Sequence, residues 1–502
     1  MLSSPEVASF LARFPRFEDT LLSLQYAPRL PRGMVEETRQ VIAMARKFND
    51  EVTRPQALKL DRKTHEDPDY LPHEIVEEAN RRGFYSMWVP KLFGGKGVNM
   101  PSMSYFVEEV GSVCLGIMNV LGVHYLGVAG LMSSQNTPLI KRVLREVVDG
   151  EKTGKPCLIA LAITEPGAGT DVEEVDLVDK GKVTCHAKRV KGGYIFNGNK
   201  IFISMGHVSD WTVLYGVTDL KRPSQTNVGV MVKQGMKGFS LGKHENKMGQ
   251  RVCPASELIF EDCFVPDELV LYDPESMQKY SNKPVRVLLQ RYIDYIVSVT
   301  RPGVCAMGVG AARGAFEHAL KFAAETELNG KPMINHEWVQ CWLAEMYKNV
   351  CLGRLAYIEA NYANSHRGIY NLLQVKPLYY YQKYLPGAYF DKVVAPMLDK
   401  ESSKALMNRV YFDWHGLDDE RCASGWASLA KFSGTDIGVK NCQMALELMG
   451  QAGLRQDRGV EKILRDAKLV QIYEGTNQLN RLNLFKCLIA PSIPNARVFE
   501  EE

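Results

Sequence analysis

The chain has no Cys-x-x-Cys pair, although it carries eleven cysteines. That odd, scattered set excludes a disulfide frame and a zinc ribbon, so no metal site is expected and the thiols read as reduced, in a cytoplasmic compartment. There is no large excess of one charge either. A net charge of +3 over 502 residues gives no electrostatic basis for nucleic-acid binding, yet leaves room for an acidic ligand. No apolar run is expected to reach the roughly 18 residues that cross a bilayer, so no membrane span is expected. No secretory or transit peptide is expected either: Arg13, Arg16, Arg29 and Arg32 are mixed with Glu6, Glu18 and Asp19, without a long apolar core. Residues 1–33 are expected to be an N-terminal extension packed on the body.

What is present is the composition of an ordinary globular protein, 45% apolar and 24% charged, at a length that suits about three domains. Residues 34–155 read as helical. Met34 to Val52 and His73 to Arg82 repeat apolar positions every three or four residues, Phe93 to Gly97 breaks the run as a loop, and Met103 to Met132 suits a buried helix pair. Over 156–275 the period changes to two. Val183–Ala187, Tyr194–Gly198, Trp211–Tyr215, Val228–Val232 and Leu258–Phe260 read as strands, with a turn at Gly192-Gly193. Over 276–502 the helical period returns, in Arg301–Thr326, Asn335–Ala363 and Gly434–Met449. The order helix, sheet, helix gives an α+β class, not the alternation of a doubly wound fold. Gly308-Val309-Gly310-Ala311-Ala312-Arg313-Gly314 lies inside a helical run with no strand before it, so it reads as helix packing and not as a dinucleotide fingerprint.

Two stretches carry chemistry. Gln471-Ile472-Tyr473-Glu474-Gly475-Thr476-Asn477-Gln478 places a carboxylate beside a flexible residue, after a charged helical run. Such a carboxylate can be aimed into a cleft as a base; it can also cap a helix or face solvent. Upstream, Leu161-Ala162-Ile163-Thr164-Glu165-Pro166-Gly167-Ala168-Gly169-Thr170-Asp171 offers glycines for close backbone approach and hydroxyls that can bond a ring or a phosphate. It also reads as a structural turn cornered by Pro166. The pair, in this order, resembles the flavin-dependent acyl-CoA dehydrogenase family. Further matches are Lys200-Ile201-Phe202-Ile203-Ser204, Met248-Gly249-Gln250-Arg251, Thr300-Arg301-Pro302 at the expected opening of a long helix, and Glu447-Leu448-Met449-Gly450-Gln451. The likeness runs from about Met34 to Ser365 and resumes near Phe432.

The resemblance implies an N-terminal helical domain, a middle β-barrel domain and a C-terminal helical bundle. It implies FAD as cofactor, met by Leu161, Thr164, Gly169, Thr170, Phe202, Ser204, Thr476 and Gln478, with Glu447, Gly450 and Gln451 reaching the cofactor of a neighbouring subunit. Phe202 and Ser204 stand where the family usually has Trp and Thr, which keeps an aromatic face and a hydroxyl. Thr326 and Asn329 stand where family members often carry Arg and Phe in Arg-x-x-Phe-Gly. The resemblance makes Glu474 the base that takes the α-proton of an acyl-CoA while the β-hydrogen leaves as hydride to flavin N5. It puts Thr170, Arg301 and Gly475 beside the substrate. Arg301 can pair with phosphate, steady the carboxylate, or sit on the surface at a helix start. His124 and Tyr125 fall where the acyl pocket closes; they can bond a polar acyl tail, and His124 equally reads as a buried structural histidine.

Residues 366–431 exceed the family's usual connection and include Tyr379-Tyr380-Tyr381, Pro386-Gly387 and Trp414-His415-Gly416. They can cover the acyl pocket, line a subunit contact, or project as an exposed insertion. The expected substrate is a bulky, cyclic or dicarboxylic acyl-CoA, with an electron-transfer flavoprotein as acceptor and a homotetramer or homodimer as assembly. An acyl-CoA oxidase and a non-catalytic flavoprotein of the same fold are the alternatives.

Overall fold

A computed structural model describes residues 31–134, 136–365, 376–412 and 417–492, together with 496, 498 and 499. The expected extension therefore lies, up to residue 30, outside the described residues. Helix α1, Arg32–Phe48, buries Val35, Thr38, Val41, Ile42, Ala45 and Phe48, the stripe that its apolar spacing requires. A π-helical turn, Asn49–Thr53, leads into α2, Arg54–Glu66. Helix α3, His73–Arg82, stops on Gly83 at φ 72°, the left-handed position that glycine adopts without a Cβ clash. The expected helix pair is three helices, α4 (Ser102–Gly111), α5 (Leu115–Gly122) and α6 (His124–Met132), followed by α7 (Thr137–Thr153). Leu115–Met132 corrects one expectation. It is an 18-residue stretch apolar enough for a membrane span, but the break at Val123 splits it and 78% of it is buried within the protein.

Helix gives way to sheet after Thr153. The strands are β1 (Ile159–Ala162), β2 (His186–Val190), β3 (Gly193–Ser204), β4 (Trp211–Val217), β5 (Asn227–Lys233), β6 (Phe239–His244), β7 (Ala255–Pro266) and β8 (Val270–Tyr272). They form one sheet in the order β6-β7-β3-β2-β4-β5-β8, with β1 added in parallel to β4. β2 starts three residues later than its period suggested. Gly192 makes the β2–β3 turn at φ 80°. The Thr164–Thr170 loop leaves β1 and is pinned from below. Buried Glu165 accepts from Lys200 Nζ (2.7 Å), from Thr184 Oγ1 (2.9 Å) and from the amides of Thr184 and Cys185. A buried carboxylate met by this many donors fixes the loop's shape.

The last domain is built on α8 (Val285–Glu325), α9 (Glu337–Ser365) and, further on, α12 (Leu417–Met449). Between them lie α10 (Lys376–Tyr384) and α11 (Glu401–Phe412). α13 (Val460–Val470) and α14 (Asn477–Leu484) close the chain's described core. The glycines of the 308–314 run are contact points. A Cβ on Gly308 would stand 2.4 Å from the Gly434 carbonyl oxygen, and one on Gly314 would stand 2.1 Å from that of Ser112. α8 therefore lies backbone-close to α12 and α4. Two expectations change here. Thr300-Arg301-Pro302 does not open a helix but sits in the middle of α8. Pro302 lacks the N–H that would bond Ser298, and the freed Ser298 carbonyl accepts from Asn364 Nδ2 on α9. The insertion expected over 366–431 is shorter, because 417–431 already belong to α12; Trp414, His415 and Gly416 lie outside the described residues.

Candidate active site

The loop Gln471–Thr476 joins α13 to α14. Thr476 caps α14 by accepting from the Leu479 amide at 3.3 Å. The two residues before it are both left-handed, Glu474 at φ 55° and Gly475 at φ 72°. For a glutamate that conformation costs on the order of 1 kcal/mol and persists only where surroundings enforce it. Buried Lys431, on α12, donates to the carbonyls of Gly475 (2.7 Å) and Gln471 (3.2 Å) and to Asn477 Oδ1 (2.8 Å). Asn480 Nδ2 donates to the carbonyls of Gly475 (2.9 Å) and Thr476 (3.0 Å). Fully buried Arg301, on α8, donates through Nε to the Glu474 carbonyl at 3.4 Å.

The side chain of Glu474 is half-buried and takes one bond, from Thr300 Oγ1 to Oε2 at 2.7 Å. Burial, and next the negative charge of Glu173, push its carboxyl up to about 7; Thr300, Arg301 and Lys431 pull the other way. Glu173 follows the Thr170 loop and reaches across, so that a Cβ on Gly475 would lie 2.9 Å from its Oε2. The same Oε2 accepts from Arg301 Nη2 at 3.2 Å, while Arg301 Nη1 donates to Ser428 Oγ at 3.0 Å. Burial pushes Lys431 down to about 7. A carboxyl tuned to neutrality in a cleft is matched to proton transfer at physiological pH.

Glu474 and Gly475 border a cavity of about 640 Å³. Leu161, Thr164, Gly169, Thr170, Phe202 and Ser204 line it as well, so the structure joins the two sequence stretches at one site. These six residues fit a flavin. Phe202 is 54% exposed on a left-handed backbone, φ 58°, and a Cβ on Gly169 would meet nothing nearer than Thr164 Cγ2 at 3.9 Å. An exposed aromatic and an unobstructed glycine in one cavity leave room for a planar ring.

Other expected residues lie elsewhere. Arg301 does not line the cavity; its side chain is 0% exposed and bonded inside the protein, so no phosphate reaches it. His124 does not line it either. Nδ1 accepts from the Ile159 amide at 3.1 Å, and burial pushes the ring down to about 3, so it is a neutral structural imidazole. Tyr125 lines the wall, but its hydroxyl donates to the Phe84 carbonyl. Thr476 is a helix cap and Gln478 is exposed. Glu447, Gly450 and Gln451 lie exposed at the end of α12, away from this lining. Thr326 ends α8, and Asn329-Gly330 make the left-handed turn of a two-residue hairpin. The site also contains Glu173, Thr300, Ser428, Lys431, Asn477 and Asn480, none of which the sequence reading chose. Glu173 and Thr300 adjoin chosen motifs, which was a usable signal. Lys431 and Ser428 lie on a helix with no local mark.

The insertion also contributes to the cavity. Tyr379 and Gln382, on α10, line it beside Asn361 and Asn364 of α9. α10 is tied down by the Lys383–Glu37 ion pair and by Lys91 Nζ donating to the Lys383 carbonyl.

Three family models match the chain. The acyl-CoA dehydrogenase N-terminal domain matches residues 35–151, the middle domain 160–263, and the C-terminal domain 291–370 and 400–489. In sequence the chain is 27% identical over 462 residues to cyclohex-1-ene-1-carbonyl-CoA dehydrogenase of Geobacter metallireducens, spanning 92% of this chain and 100% of that one. It is 26% identical over 419 residues to a subunit of the caffeyl-CoA reductase–Etf complex of Acetobacterium woodii, spanning 83% and 90%. In structure it is similar to butyryl-CoA dehydrogenase of Megasphaera elsdenii, with TM-score 0.68, 21% identity, and 90% and 98% of the two chains covered. At that identity the likeness speaks for the fold.

Proposed function

The chain belongs to the acyl-CoA dehydrogenase family and is an oxidoreductase of that family, and on that premise we propose that it is an FAD enzyme that desaturates a cyclic or bulky, uncharged acyl-CoA between Cα and Cβ with Glu474 as the base. The observation that carries this reading is the Glu474 carboxyl, half-buried at the cavity beside Thr164, Thr170 and Phe202 and pushed up to about 7. When bound, the flavin supplies the hydride acceptor. Glu474 removes the α-proton as a carboxylate, and Thr300 orients the oxygen that takes it. An α-proton beside a thioester is weakly acidic, so the carbonyl must be polarised. The Glu474 amide N–H donates to no acceptor among the described residues and would serve. Lys431 and Asn480 hold that amide and the carboxyl in one orientation by fixing the carbonyls around them.

The lining supports the acyl preference. Among the described residues it contains Glu173 and Glu474 but no Lys or Arg. An acyl tail ending in a carboxylate would be buried without a counter-ion, so the dicarboxylic substrate is set aside. The wall is mainly apolar, and the Geobacter relative's name specifies a ring. An electron-transfer flavoprotein is the proposed acceptor, supported by the Etf complex to which the Acetobacterium relative belongs. A homo-oligomer would bring Glu447, Gly450 and Gln451 to a neighbour's cofactor, and eleven free cysteines suit a cytoplasmic enzyme. Anaerobic titration with linear, cyclic and dicarboxylic acyl-CoAs tests the reading. Cyclic substrates should bleach the flavin absorbance, and Glu474→Gln should keep the flavin bound yet abolish bleaching. Turnover near the parent rate in that variant removes Glu474 from the role.

A further inference from the structure

The catalytic loop is faced by four charged groups from three elements. Three of them are Arg301 on α8, Lys431 on α12 and Glu173 after the Thr170 loop, all of which act on Glu474. The fourth is Asp436 on α12, which accepts from Gln471 Nε2 and Asn477 Nδ2 and is itself paired with Arg481, while the Tyr473 hydroxyl is bonded to Gln250. Lys431 gives its bonds to two carbonyls and an amide oxygen and none to a carboxylate. Arg301 is the cation that stands next to the base, with Nε 3.4 Å from the Glu474 carbonyl oxygen, yet it bonds Glu173 and Ser428 instead of the Glu474 carboxylate. A buried guanidinium needs an anion, because burying it unpaired is costly. Two carboxylates feel its charge, those of Glu173 and Glu474, and the structure shows it paired with the first.

We propose that Glu173 is a positioning residue: it captures the Arg301 guanidinium and so keeps the Glu474 carboxylate free of an ion pair, able to take the substrate's α-proton. The arrangement has two effects of one sign. It withholds from Glu474 the opposite charge that would make it a weaker base, and it adds a like charge that makes it a stronger one. The contact with Gly475, where any added Cβ would meet Glu173 Oε2 at 2.9 Å, places that charge against the base's own loop. Without Glu173, Arg301 would turn to the next anion, Glu474, and hold it deprotonated.

This inference rests on Glu474 being the base, and that premise is tested separately by the bleaching of Glu474→Gln. The test is the pH dependence of kcat/KM for flavin reduction by acyl-CoA in the holoenzyme. In Glu173→Gln the acidic limb should move down by about one pH unit or more while the rate at its plateau falls, since a weaker base ionises earlier and works less well. Glu173→Asp, which keeps the charge, should leave the limb near its parent position. In Glu173→Gln/Arg301→Gln there is no cation to divert and no added anion, so the limb should return to within about half a unit of the parent. That double variant removes both members of the Arg301–Glu173 pair, so neither is left without the other, and it decides the question if the single Gln variant fails to fold. An unmoved limb in Glu173→Gln, or a displaced one in the double variant, overturns the proposal while leaving the role of Glu474 intact. A Glu474→Gln variant that still turns over would instead remove the premise.

Discussion

Thr300 Oγ1 donates to Glu474 Oε2 at 2.7 Å, the one hydrogen bond that this carboxylate, the proposed base, receives among the described residues. A bond of this kind favours the charged form and opposes the upward push of burial. Thr300→Val removes the hydroxyl and keeps the shape. The carboxyl should then hold its proton to higher pH, and the acidic limb of kcat/KM should rise by about half to one pH unit, the equivalent of a net bond of about 1 kcal/mol. The direction is opposite to that expected for Glu173→Gln. Stopped-flow flavin reduction across pH gives both; a limb that stays in place in Thr300→Val would show that the hydroxyl does not act on the base.

The tuned site also leaves a mark on stability. Glu474 ionises at about 7 in the fold and near 4.5 when unfolded. Between those values the folded state binds the extra proton, so stability falls as pH rises through the window and the loss is complete above pH 7. Lys431 is displaced the other way, to about 7 from 10.5, so its contribution rises with pH above 7. Glu474→Gln removes the first effect only. At pH 8 it should be more stable than the parent by about 1 to 3 kcal/mol, and the difference should shrink toward pH 4.5. Denaturant unfolding at the two pH values measures it, and a variant no more stable than the parent at pH 8 would mean that the carboxylate costs the fold nothing.

The domain order was legible because periodicity reports burial. Arg32–Phe48 and His73–Arg82 each bury one face, and the residue pattern has the period of that face, whereas the strands around Trp211 and Val228 are buried on both faces and show as short β-branched apolar runs. Boundaries that depend on tertiary contacts were not legible. α8 begins at Val285 although Pro302 lies within it, because Asn364 on another helix satisfies the carbonyl that the proline frees. The same holds at the site. Glu474, Thr164 and Phe202 lie in local motifs, whereas Lys431 and Ser428 matter only because α12 runs behind the 471–476 loop. Arg301 was expected beside the substrate, paired with phosphate or steadying the carboxylate; it is buried and bonds Glu173 and the Glu474 carbonyl inside the protein, partners that no local pattern marks.

The insertion can be tested without touching the base. Tyr379 lines the cavity from α10, in residues 371–399 that the C-terminal family model leaves unmatched. α10 is anchored by the Lys383–Glu37 pair, and the turn that follows it buries Phe390 and Ala395. Tyr379 itself shows no hydrogen bond among the described residues, so Tyr379→Ala should enlarge the acyl end while leaving α10 in place. A pocket residue acts on specificity through the contact it makes with one acyl group and not another, and losing such a contact is worth about 1 to 3 kcal/mol. The ratio of kcat/KM for a bulky over a small cyclic acyl-CoA should therefore rise by about tenfold in Tyr379→Ala. The acidic limb that Glu474 is proposed to set should not move, because Tyr379 is not among the groups that shift that carboxyl. A uniform fall across the whole acyl panel would show that α10 only covers the pocket and does not select what enters it.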